Sequence, residues 1–151
     1  MKIPKKEEGQ GLVEYALLLV LVAIVVIVIL AVLGRTVRGV FAQVYAGLNG
    51  QALDGSGTEY VITGPSADAV GAPPNCTVTV SASVVVFEDG ELAGAGVGVS
   101  GSASWPSGGG SISGTTDNNG VASVSTSGPG ACEGTATITV GGTTVTAPYS
   151  N

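Results

Sequence analysis

From Ala16 to Leu33 the chain runs eighteen residues without a charge or a polar side chain, fifteen of them Leu, Ile or Val. At 1.5 Å per residue an α-helix of that length covers about 27 Å, close to the roughly 30 Å hydrocarbon core of a bilayer. Nine of the eighteen are Val or Ile, which in water favour a strand. In hydrocarbon, however, a lone segment can satisfy its backbone only internally, so the run must be helical. Three Lys precede it (Lys2, Lys5, Lys6), and Arg35 and Arg38 follow where the span leaves lipid. An ordinary secretory signal is cut beyond its apolar run. Here the small residue before a cut, Gly9, stands on the charged side, so trimming there retains the span.

One carboxylate, Glu14, sits at the mouth of the run. A charge inside an apolar surface costs about 2.5–3.5 kcal/mol at a bilayer centre and marks a functional suspect. The bland alternative is an interfacial carboxylate near a helix N-terminus, where the dipole contributes about 0.3–1 kcal/mol. Beyond Leu33, Val37, Val40, Phe41, Val44, Tyr45 and Leu48 recur at spacings of three and four, which predicts one helix over residues 10–48 with an apolar stripe needing a partner. Gly34, Gly39 and Gly47 weaken it locally.

These residues carry a resemblance. Gly9, Gln10, Glu14 and Tyr15, followed by the Leu/Val/Ile run, resemble the N-terminus of Flp-type pilins, the type IVb subunits of Tad pili. The resemblance covers about residues 1–48. It implies a leader, residues 1–9, removed by a prepilin peptidase between Gly9 and Gln10. It implies that Glu14 pairs with the α-amine of a neighbouring Gln10 as helices pack into a filament core, with Tyr15 beside it. By the same resemblance the partners are further copies of the chain, the peptidase and an assembly platform. The inner membrane holds the precursor, and an extracellular filament is the destination. About a hundred further residues depart from the short Flp pattern and suggest a displayed, adhesive domain.

Composition changes after Leu48. Residues 49–75 hold Asp54-Gly55-Ser56-Gly57, Gly64-Pro65 and Gly71-Ala72-Pro73-Pro74, which read as a linker with one short strand over 59–63. From Cys76 the chain alternates small polar and apolar residues over 76–87, 97–105, 121–127, 134–140 and 143–147. Turn signals separate these runs at Asp89-Gly90, 106–110, 117–120, 128–130 and Gly141-Gly142. Short alternating strands at such intervals predict an antiparallel sandwich over 76–151. The strand order and the thread Thr116-Asp117-Asn118-Asn119-Gly120-Val121-Ala122 resemble bacterial immunoglobulin-like repeats of the invasin type. The expected class is therefore α+β, a long N-terminal helix followed by an immunoglobulin-like sandwich.

The two cysteines, Cys76 and Cys132, flank most of that region, and in an exported domain such a pair predicts a disulfide. Two buried thiols are the alternative; metal binding by two Cys without His is not expected. Removal of residues 1–9 leaves two basic against nine acidic side chains, a net of −7, with nothing basic after Arg38. That balance excludes nucleic acid as a partner of the domain. There is no His, no Lys beyond Lys6 and no Ser or Cys with an identifiable base, so neither catalysis nor a cofactor is expected. Glu88, Asp89 and Glu91 read as a hairpin tip in preference to a calcium site, and Asp117, Asn118 and Asn119 as an Asx-rich turn. Trp105 reads as core over a sugar-stacking platform, and Asn75-Cys76-Thr77 as an incidental sequon. The function these readings support is a filament subunit. The alternatives are a monomeric membrane-anchored binding domain and a pseudopilin of a secretion apparatus.

Overall fold

A computed structural model of the chain describes residues 10–51 and 53–151. The expected leader and its Gly9 lie outside the described residues. The chain divides into two compact units, one ending at Val37 and one running from Arg38 to Asn151.

Helix α1, Gln10–Leu48, is 39 residues long and crosses that division. Every described side chain from Gly11 to Arg38 is exposed. The helix stops at a Schellman motif. Gly50 takes φ +68°, Gln51 N–H donates to Ala46 C=O at 2.9 Å, and the Asn49 carboxamide donates to Tyr45 C=O at 2.9 Å.

Eight strands follow: β1 Thr58–Ala72, β2 Asn75–Glu88, β3 Glu91–Leu92, β4 Gly98–Trp105, β5 Gly108–Thr115, β6 Val121–Gly130, β7 Glu133–Val140 and β8 Thr143–Ser150. All pair antiparallel. One sheet sets β1 on one edge of β2, with β6 along Cys76–Val85 and β3 along Phe87–Glu88 on the other. The second runs β5-β4-β7-β8. β1, β2 and β6 stand where strands A, B and E stand in an immunoglobulin sandwich, and β5-β4-β7-β8 where C′-C-F-G stand. The fold is α+β with an immunoglobulin-like sandwich.

The inner faces of the two sheets supply the core. Ile62, Val78, Val80, Val84, Val86, Val99, Ile138 and Val140 are all under 2 % exposed or at 2 %. Burying one such side chain contributes about 1.5–3 kcal/mol. Trp105 belongs to this core at 5 % exposure, and its indole Nε1–H donates to Pro129 C=O at 3.0 Å.

The expectation of a linker over residues 49–75 is corrected: β1 alone covers Thr58–Ala72, so the sandwich begins eighteen residues before Cys76. Gly64-Pro65 hid the strand. It sits where the β1–β2 register shifts between Thr63 and Ser66, a bulge that lets an edge strand carry a Pro. The turn expected over 106–110 is also shorter than its glycines suggest. Only Pro106 and Ser107 turn, and β5 begins at Gly108. A Cβ on Gly110 would meet Thr126 Oγ1, and one on Gly108 would run into the Trp105 indole and Pro129 C=O. These glycines are there for close packing within strands. The same holds for Gly128 and Gly130, expected as a turn and found in β6 against Trp105.

Strand β2 changes its outward face part way along. Thr77, Thr79, Ser81 and Ser83 point outward and are exposed or half-buried, whereas Val85 and Phe87, on the same face, are buried. The end of α1 covers them: Ala42 and Ala46 cluster with Val61, Val85 and Phe87, flanked by Tyr45, Leu53, Leu92 and Val121.

Candidate functional site

In a helix, residues four apart share a face and are separated by about 6 Å of rise. Gln10 opens α1 and Glu14 lies one turn later, so the carboxylate stands on the side of the helix from which the chain enters. Glu14 is exposed and Tyr15 is 63 % exposed. Among the described residues, Gly11–Leu48 is the helix long and apolar enough to cross a membrane. The large apolar side chains past Arg38 also stand out, with Phe41 at 71 % and Leu48 at 82 % exposure. The part of α1 in the second unit is therefore two-faced: Ala42 and Ala46, with Tyr45 at their edge, lie against the sandwich, and Phe41, Val44 and Leu48 face away from it.

Cys76, at the start of β2, and Cys132, just before β7, form a disulfide with a Cα–Cα distance of 5.0 Å. The bridge joins one sheet to the other, as the B–F bridge of an immunoglobulin domain does. Cys76 is 3 % exposed. It shares the core cluster with Trp105, which matches the core reading of the tryptophan. Asn75 is exposed beside the bridge.

Four of the carboxylates, Asp54, Glu59, Asp89 and Asp117, accept backbone amides. Asp89 and Gly90 have φ 50° and 80°, the paired positive values of a type I′ turn closing the β2–β3 hairpin. Glu88 and Glu91 face each other across it. Asp89 Oδ1 accepts the Gly57 N–H at 3.0 Å. Asp117 Oδ1 accepts the amides of Asn119 at 2.8 Å and Val121 at 3.0 Å, and Oδ2 accepts the Asn119 side-chain amide at 3.0 Å. The Val121 N–H first, then Asn119, hold the Asp117 carboxyl below the usual carboxylate range. Asp54 is lowered as well, chiefly by the Ser56 hydroxyl and then its amide. Among the described residues, no group of three or more His, Cys, Asp and Glu is gathered as a metal would require.

Two positions carry structural weight that the sequence did not signal. Thr116, 4 % exposed, ties the loop before β4 to β5: its hydroxyl donates to Gly94 C=O at 2.6 Å and accepts Val97 N–H at 2.9 Å. Gln51, 6 % exposed, uses its carboxamide on both backbone groups of Ile62. It also lines a cleft of about 370 Å³ with Gln43, Gly47, Leu53, Asp54 and Glu59. The Glu59 carboxylate at its rim accepts the amides of Asp54 and Gly55. No simple residue pattern marks Gln51, since one Gln after a helix-stopping Asn-Gly looks like any linker residue.

No family model, no curated protein and no solved structure matches the chain.

Proposed function

We propose that the chain is a structural subunit of a type IVb, Flp/Tad-like pilus, polymerising through α1 and displaying the sandwich for adhesion. The observation that carries this reading is the exposure of α1. From Gly11 to Arg38 an apolar helix carries no buried side chain and a single carboxylate, Glu14, one turn from Gln10. A membrane alone would accept the span, yet it gives no reason to keep a carboxylate there. Helices packed side by side do give one. Glu14 of one subunit neutralises the α-amine of the next, and Phe41, Val44 and Leu48 continue the same contact beyond lipid.

In this reading a prepilin peptidase cuts between Gly9 and Gln10, the inner membrane holds the cut subunit, and an assembly platform extrudes it into an extracellular filament. The disulfide and a sandwich without Lys or Arg suit that destination. The test is negative-stain microscopy of sheared cell-surface material, with N-terminal sequencing of what is recovered. Long detergent-free filaments whose subunits begin at Gln10 support the reading. Protein found only in the membrane fraction would favour a monomeric anchor, short assemblies would favour a pseudopilin, and a retained Met1 would overturn the processing step.

A further inference from the structure

Nine residues, 49–57, join the end of α1 to the start of β1, and the described ones, 49–51 and 53–57, form no regular element. They are nevertheless fastened at both ends. At one, the Gln51 carboxamide makes the two bonds that a neighbouring strand would make with a single residue. Nε2 donates to Ile62 C=O at 3.0 Å, and Ile62 N–H donates to Oε1 at 2.8 Å. At the other, Gly57 exchanges a pair of bonds with Asp89: Gly57 N–H to Oδ1 at 3.0 Å, and Asp89 N–H to Gly57 C=O at 2.8 Å.

The apolar contact beneath this segment is centred on small helix residues, with Tyr45, Leu53, Leu92 and Val121 half-buried at its rim. Two alanines, Ala42 and Ala46, supply the buried helix side chains against Val61, Val85 and Phe87. A Cβ on Gly39 would sit 3.5 Å from the Leu92 side chain. Alanine removes little area from water, so the bonds of Gln51 count heavily among what holds the helix end to the sheet. Their loss would leave the Ile62 amide and carbonyl unpaired beneath it.

We propose that residues 49–57 form a releasable strap whose lock is the Gln51 carboxamide. With the lock closed, the last turns of α1 and the sandwich are one body. With it open, they part on a tether that reaches about 30 Å when extended. Such a strap gives a displayed domain slack under load while the sandwich, held by its own disulfide, stays folded. The strap works the same way in a filament subunit and in an anchored monomer, so it stands apart from the pilus reading.

The test is hydrogen exchange followed by mass spectrometry on the full chain in detergent, comparing wild type with Gln51→Ala and Gln51→Glu. Gln51→Ala is expected to speed exchange about 5- to 150-fold in both 38–48 and 58–63, the range set by one to a few unmade buried bonds. Exchange in β7, 133–140, is expected to stay at the wild-type rate, which also reports that the sandwich is folded. Gln51→Glu keeps an acceptor for the Ile62 amide but sets a buried carboxylate against the Ile62 carbonyl, and is expected to speed exchange in the same two segments at least as much as Gln51→Ala. No acceleration, acceleration in only one of the two segments, or equal acceleration in β7 would each overturn the proposal. The last outcome would make Gln51 an ordinary contributor to the stability of the whole domain.

Discussion

Removing the disulfide should expose how little else this sandwich has to spare. The perturbation is the double substitution Cys76→Ala and Cys132→Ala, which avoids leaving a lone reactive thiol. The bridge spans a sequence separation of 56 residues, and the chain-entropy relation for a loop of that size gives about 4 kcal/mol at 25 °C. A domain of this size has a total stability of order 5–15 kcal/mol. Its core is assembled largely from Val and Ala with few aromatics, which places it towards the lower part of that range. At about 4–8 °C per kcal/mol, the midpoint of thermal unfolding should fall by about 15–30 °C. Trp105 is the sole tryptophan and shares the core cluster with Cys76, so its near-ultraviolet circular dichroism reports on the affected region directly. The measurement is made on the full chain in detergent, with wild type under reducing conditions as the chemical counterpart. A fall of less than about 5 °C in both would mean that the unfolded chain is already restricted in some other way, and the loop-closure reasoning would fail.

Glu14→Ala should leave membrane insertion intact and sharply lower the yield of sheared filaments, because the neighbouring α-amine is stranded at a cost of about 3–5 kcal/mol. Glu14→Gln should behave alike, and normal filament yield from both would reduce Glu14 to an interfacial carboxylate. Tyr149→Phe should leave stability within about 0.5 kcal/mol of wild type or raise it, since the buried Tyr149 hydroxyl has no hydrogen-bond partner among the described residues; a larger loss in denaturant unfolding would count against that geometry. Asp117 has a folded-state pKa depressed by the Val121 and Asn119 amides. Its contribution is therefore present above the ordinary Asp value of about 3.9 and is lost as pH falls through the lower folded value. Asp117→Asn should flatten that acid-side decline in stability, and an unchanged acid profile would refute the assignment.

The helix and most of the strands were legible because their signals are local. Eighteen apolar residues allow one backbone conformation in lipid, and alternation in Cys76–Phe87 shows which side of β2 is buried. The same alternation fails at Val84 to Phe87, where four apolar residues run together because both faces are covered, one by the core and one by the helix end. Two glycine-rich stretches misled for a related reason. Gly108, Gly110, Gly128 and Gly130 read as turns in one dimension, but their missing side chains make room for Trp105 and Thr126, contacts that sequence spacing does not encode. β1 escaped because Gly64-Pro65 interrupts its pattern at a bulge. The candidate assembly residues Gln10, Glu14 and Tyr15 stand out as a motif at one helix end. Gln51 and Thr116 do not, since each acts on backbone groups at least eleven positions away.

The change of face along β2 also says what else could be carried on this helix. Ala42 and Ala46 ask of the domain behind them only a shallow apolar seat, made here by Val61, Val85 and Phe87 on the outside of a sheet. On that face the stretch from Thr77 to Ser83 is free to vary without touching α1. The helix is thus an adaptor with a small footprint. A different sandwich, given two outward apolar positions on a central strand and one on its neighbour, could be seated in the same place. Conversely, inserting a single residue into β2 between Ser83 and Val85 would turn the seat inward and leave the helix end resting on hydroxyls.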